Sequence, residues 1–196
     1  MDAPQPMIRP ATLADAAAMA ELVNMAGEGM PLYLWKGMAE PGQDPWEVGR
    51  RRAERETGSF SYRNATMLEV DGHITGCLIG YNLPDAPVPI EYQTMPAMFV
   101  PLQELENMAC GTWYVNVLAT YPRYRGQGFG TKLLGLADEI ATRAGCNGLS
   151  IIVADGNLGA RRLYERSGYR QVATRTMVKE DWENPGKNWV LMIKRG

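Results

Sequence analysis

The segment RGQGFG, residues 125–130, constrains this chain more than any other. It joins the apolar run WYVNVLA (113–119) to the helical pattern TKLLGLADEIATRA (131–144), and Gly126, Gly128 and Gly130 strip the side chains from the point where a helix should begin. A helix N-terminus carries unpaired N–H groups and the positive end of the helix dipole, so a preceding loop without bulk lets phosphate oxygens reach several amides at once. The spacing is not that of two familiar phosphate loops. There is no Gly-Lys-Ser/Thr after four intervening residues, and no GxGxxG. The alternative is a tight turn whose glycines serve only close helix packing.

Around this loop the pattern is that of an α/β chain. WYVNVLA, TKLLGLADEIATRA and LSIIVA (149–154) form a strand, helix and strand, whose crossover should be right-handed. Upstream, ATLADAAAMAELVNMAG has Thr12 and Asp15 as capping residues, helical spacing of apolar positions and Gly27 as a stop. DPWEVGRRRAERET reads as a second helix, with Asp44 as cap, Pro45 at the first helical position and a solvated basic face. ATMLEV and HITGCLIGY flank Asp71-Gly72, a pair suited to a hairpin turn. NLGARRLYERS is a short helix stopped by Gly168, and YRQVATRTMVK and WVLMIKR are closing strands. Prolines at 84, 87, 89, 96 and 101 exclude a continuous element from Leu83 to Gly111, although VPLQELENMA suits a short helix. The stretch reads as a proline-rich insertion at about 83–111 within one domain spanning 1–196.

Composition narrows the function classes. A chain of 196 residues with 45% hydrophobic content can fill one core. The formal net charge of -2 gives no general attraction to nucleic acid or to an anionic membrane. No stretch approaches the roughly 20 apolar residues of a membrane span, and MDAPQPMIRP lacks the basic start and apolar core of an export leader. Cys77, Cys110 and Cys146 are odd in number and form no CxxC pair, against both a disulfide framework and a structural metal site. The expectation is a cytoplasmic protein without a metal, with neither nucleic acid nor membrane as partner.

Arg125, Gly128 and Gly130 follow the order Arg or Gln, two residues, Gly, one residue, Gly or Ala, and LATYP precedes them as the end of a strand. Asn157, Ala160, Leu163, Tyr164, Gly168 and Tyr169 form a second pattern, an Asn opening a short helix with a Tyr near its end before a glycine and an aromatic. In both motifs the chain resembles the GNAT family of acyl-CoA N-acyltransferases. IRPATLADAAAMAELV and VDGHITGCLIG look like that family's first strand and helix and its central hairpin. The resemblance covers nearly the whole chain, residues 83–111 least. It implies the acyl-CoA N-acyltransferase fold, a mixed, mostly antiparallel sheet of about six or seven strands flanked by helices. It implies that acetyl-CoA is the cosubstrate, its pyrophosphate on the amides of Arg125, Gly126, Gln127, Gly128, Phe129 and Gly130, with Thr131 as a hydroxyl donor. The pantetheine arm would meet the backbone of Leu118, Ala119 and Thr120. Asn157 would anchor the cofactor or the last helix, where a plain N-cap is the equal alternative. Arg123, Lys132, Arg161 and Arg162 are candidates for the 3′-phosphate, against the reading of a solvated cluster.

The reaction implied is direct attack of a primary amine on a thioester. An alkylammonium with a pKa near ~10 must lose a proton, the carbonyl oxygen must be stabilised, and the leaving thiolate benefits from an acid. Tyr164 matches the family's general acid, and an amide near Leu118 would meet the oxyanion. Many relatives carry a glutamate on the strand that here reads WYVNVLA, where this chain has Tyr114 and Asn116. Glu69, Glu91, Glu104 and Glu106 remain candidate bases, although each is of a residue type usually found at the surface. The solitary His73 and the absence of GxSxG argue against a Ser-His-Asp hydrolase. Without a carboxylate on the strand, the rival reading is a non-catalytic acyl-CoA sensor or interaction module, and a third is a nucleotide-binding protein. The insertion, with Asp85, Glu91, Glu104 and Glu106, either lines the side of a small-molecule or peptide amine acceptor or serves as a homodimer contact.

Overall fold

The computed structural model describes residues 6–196, so the reading of Met1–Gln5 as part of a chain start without a leader lies outside it. The fold is a mixed, mostly antiparallel seven-stranded sheet flanked by helices, with strand order β1-β2-β3-β4-β5-β7-β6. Two compact units divide the chain, one of residues up to Gly80 with Asn116–Leu133, the other of Tyr81–Val115 with Leu134–Gly196.

In the first unit β1 (Met7–Pro10) pairs antiparallel with β2 (Ala65–Val70), which pairs with β3 (His73–Asn82). Asp71 and Gly72 take φ of +51° and +75°, the backbone the hairpin turn demands. Three helices, α1 (Ala16–Ala26), α2 (Met30–Met38) and α3 (Pro45–Ala53), bring Met19, Leu22 and Trp35 into one core with Met67 and Ile79 of the sheet. A side chain at Gly49 would begin 2.5 Å from the Trp35 ring, so glycine lets α3 lie against that indole. Helix α3 stops at Ala53, short of Thr57, and α2 has no counterpart among the helices expected from sequence.

Arg9 ties β1 to the entry of α1. Its guanidinium donates to both Asp15 oxygens at 2.8 Å and, through Nε, to Glu69 Oε1 at 2.9 Å. Asp15 also accepts from the Thr12 amide at 2.7 Å and is buried. The hydrogen bonds from Arg9 hold its carboxyl below the usual carboxylate range. Its contribution to stability is therefore present above the unfolded pKa near ~4 and lost as pH falls through the lower folded value. Asp15→Ala should cost about 3 kcal/mol at pH 7, because it leaves a partly buried guanidinium short of a partner. Urea unfolding of both proteins at pH 7 and pH 3 checks this, the difference narrowing at the lower pH.

In the second unit Trp113–Val115, the first residues of β4 (Trp113–Thr120), pair in parallel with Leu149–Ile151 of β5 (Leu149–Ala154). Strand β7 (Asn188–Lys194) pairs antiparallel with β5 on one edge and with β6 (Arg170–Thr176) on the other. Buried hydroxyls of Thr112 and Ser150 satisfy one another at 2.7 Å beside the parallel ladder. Gly148, at φ +130°, lets β5 begin against the Lys194 carbonyl, which a Cβ there would strike. Helices α4 (Val100–Glu106) and α6 (Leu158–Arg166) also belong to this unit, and α5 runs from Phe129 to Arg143. No helix among the described residues is long and apolar enough to cross a membrane.

Candidate active site

The glycine loop has the backbone its sequence suggests. Strand β4 ends at Thr120, a short 3-10 turn spans Pro122–Tyr124, and α5 opens at Phe129. Gly126 and Gly128 take φ of +75° and +81°, a region costly for residues with a Cβ, and neither has an atom of the protein within 4 Å of where a Cβ would stand. Among the described residues the amides of Gly126, Gln127, Gly128 and Phe129 donate to no backbone carbonyl, while Lys132 N–H closes the first turn of α5 on Gly128 at 3.0 Å. Arg125, Gly126, Gln127 and Gly128 are exposed, as is Thr131, and Phe129 and Gly130 are half-buried. The loop is thus an open run of backbone donors at a helix N-terminus, suited to an anion with several oxygens. Arg125 Nε donates to the Thr120 carbonyl at 3.3 Å, and the Arg123 guanidinium lies over the Tyr124 ring at 4.8 Å. Leu118 and Thr120 are half-buried on β4, with Ala119 buried between them. Gly76 of β3 allows the Ala119 carbonyl to come within 2.5 Å of its would-be Cβ. Beyond the strand, Glu21, His73, Tyr121 and Arg123 edge a hollow of about 530 Å³ that sequence did not suggest.

In the other unit Asn157 acts as the N-cap of α6, its side-chain oxygen accepting from the Ala160 amide at 3.2 Å. Two turns on, Tyr164 is buried, its ring 6.0 Å from that of Tyr169. Arg161 reaches Gln171 at 3.0 Å.

The four glutamates left open by the sequence separate clearly. Glu69 is held by Arg9, Glu104 accepts from Arg175 Nε at 2.6 Å, and Glu91 is exposed. Glu106, the last residue of α4, has a side-chain carboxyl with no hydrogen bond or ion pair among the described residues and lines a cavity of about 130 Å³ with Tyr81, Asn82, Gln103 and Asn107. Burial pushes its carboxyl up to about 7, far from the surface behaviour usual for glutamate. Tyr114 is packed edge-on to Tyr81 at 5.6 Å. Burial raises the Tyr114 hydroxyl well above its ordinary range, with further upward pushes from Glu106, Tyr81 and Tyr164. These four side chains therefore form one electrostatic neighbourhood. Of the cysteines, Cys77 is buried with its thiol pushed up to about 12, burial raises Cys146 too, and Cys110 lines the same cavity as Glu106. Among the described residues no three His, Cys, Asp or Glu are grouped to hold a metal ion.

Residues 31–169 match the acetyltransferase (GNAT) family, and the chain belongs to that family. Its sequence is 31% identical over 114 residues to a thialysine N-epsilon-acetyltransferase of Bos taurus, covering 58% of this chain and 57% of that one. The chain spans about half the length of the curated relatives it matches. In fold it is similar to an N-acetyltransferase from Staphylococcus aureus Mu50, with a TM-score of 0.68 and 21% identity over 95% of this chain and 99% of that one. It is also similar to a GNAT family acetyltransferase from Elizabethkingia anophelis with acetyl-CoA bound, with a TM-score of 0.60 and 16% identity over 97% and 98% of the two chains.

Proposed function

We propose that this chain is an N-acetyltransferase that moves an acetyl group from acetyl-CoA to a primary amine, working in the cytoplasm as one domain over residues 1–196. The observation that carries the reading is the bare loop at Gly126–Phe129, whose amides are free to bind a diphosphate. Arg125 through Gly130, with the Thr131 hydroxyl, would bind that anion, and the backbone of Leu118, Ala119 and Thr120 would take the amide groups of the pantetheine arm. Asn157 would act there indirectly, by fixing the first turn of α6 through its cap on Ala160. Acetyl-CoA supplies an acyl thioester, whose carbonyl is open to an amine and whose sulfur is a fair leaving group. Tyr164 would hold its phenolic proton for that sulfur, in a buried setting that excludes water. Membership in the family and the bovine relative's action on an amine support an amine acceptor, a small molecule or a peptide.

A sensor that binds acyl-CoA without turnover is the second reading, favoured by Tyr114 and Asn116 in place of a carboxylate on β4. Thiol release from acetyl-CoA, followed across a library of primary amines, separates the two. Amine-dependent release well above hydrolysis is expected, and release no faster with any amine than without one would establish the sensor.

A further inference from the structure

We infer that Glu106 is the general base of the reaction, and that the cavity it lines with Tyr81 admits the acceptor as an alkylammonium on a slender methylene arm. This rests on the acetyltransferase reading above. Two features of the second unit lead to it. Of the four glutamates in question, Glu106 alone combines partial burial, a carboxyl without a hydrogen bond or ion pair among the described residues, and a place on a cavity wall. A half-buried carboxylate without a partner is costly, and the cost is relieved either by a proton or by a cation brought from outside the protein. The Tyr81 ring, which lines the cavity and is held edge-on by buried Tyr114, offers an aromatic surface that attracts an ammonium and an apolar body that accepts methylenes.

Groups on the surrounding elements leave that carboxylate available. Arg175 of β6, the strand packed on α4, is engaged by Glu104 and lies 3.9 Å from Met108 Sδ. On β7, also packed on α4, Lys194 is paired with Asp138 at 2.7 Å. Tyr81 of β3, Tyr114 of β4, Tyr164 of α6, Cys110 and Asp85, between the lining residues Pro84 and Ala86, are further titratable groups of the surroundings, and none of them supplies a positive charge. A carboxyl titrating near 7 is matched to the task, since it is ionised in part at neutral pH and still basic enough to take a proton.

The proton accounting closes without another reactant. Glu106 accepts one proton of the ammonium, which frees the nitrogen lone pair to form the N–C bond as the C–S bond breaks and its electron pair leaves with sulfur. Tyr164 gives its proton to the sulfur and recovers the second proton lost by nitrogen. Glu106 then returns its proton to solvent. This function also accounts for the substitution on β4, because a base delivered from α4 replaces one delivered from the strand.

The test has a readout in the unliganded protein and another in turnover. Carboxyl carbon NMR of the labelled protein should show one resonance titrating near pH 7, absent from Glu106→Gln. In turnover, the wild-type kcat/KM should rise with pH to a plateau just above 7. Glu106→Gln should fall by about 10²–10³-fold at pH 7 and keep rising toward the amine's own pKa near ~10, as a positioned base is worth about that much. Glu106→Asp should recover part of the rate and of the plateau, with acetyl-CoA affinity unchanged in both variants. A carboxyl titrating near ~4, or a Glu106→Gln enzyme within about threefold of wild type with the same plateau, overturns the assignment while leaving the acetyltransferase reading intact. A wild-type protein that neither binds acetyl-CoA nor acetylates any amine overturns both.

Discussion

Gly128→Val is expected to weaken acetyl-CoA binding by about 10²–10³-fold while leaving the fold in place. Valine at φ +81° is strained by about 1–3 kcal/mol, and the loop can relieve that strain only by turning its amides out of register. Charge-assisted hydrogen bonds are worth about 1.5–3 kcal/mol each, so displacing two of them accounts for the expected loss. No protein atom stands within 4 Å of the new Cβ position, so packing within the folded chain is not disturbed directly. Thermal unfolding should fall by only a few degrees. Calorimetric titration with acetyl-CoA measures the first effect and a melting curve the second. A variant that binds as the wild type does would mean that the loop's glycines serve the turn alone.

Tyr164→Phe should lower kcat by about 10²–10³-fold with little change in the KM for acetyl-CoA. The phenyl ring keeps the packing against Tyr169, and only the hydroxyl that would protonate the departing sulfur is removed. A substitution that acts only on the transition state lowers kcat and kcat/KM together. The diagnostic comparison uses a thioester whose thiol is more acidic, which needs less help in leaving. On that donor the variant should recover most of its rate. Equal losses on both donors would give Tyr164 a structural role instead.

The parts of this molecule governed by local backbone chemistry are those that sequence conveys well. Asp71-Gly72 requires positive φ at both positions, and the hairpin is there. RGQGFG places the start of α5 within two residues, because glycines and a following helical period leave few other choices. Helix α2 escaped notice for a reason of the same kind. Met30–Met38 contains Pro31 and Gly37, residue types that usually interrupt helices, yet Pro31 sits in the first turn, where its missing N–H costs nothing. Glu106 shows the other limit. Nothing in the residue type distinguishes it from Glu69, Glu91 or Glu104, and the difference arises from tertiary partners: Arg9 comes to Glu69 from sixty residues away and Arg175 to Glu104 from seventy-one. Periodicity along the chain carries no information about such meetings. Asn157 lies between the two cases, since its motif and its N-cap role agree and the cap is what the folded chain displays.

Acetyl transfer by this chain requires above all that the loop at Gly126–Phe129 hold the diphosphate of acetyl-CoA. Isothermal calorimetry on the wild-type protein tests this directly, with desulfo-CoA and dephospho-CoA as companion ligands. Saturable, one-to-one binding of acetyl-CoA is expected, surviving loss of the thiol and competed by CoA, but not by pantetheine, which lacks the diphosphate. Absence of any binding heat at millimolar acetyl-CoA, or equal affinity for pantetheine, would contradict it.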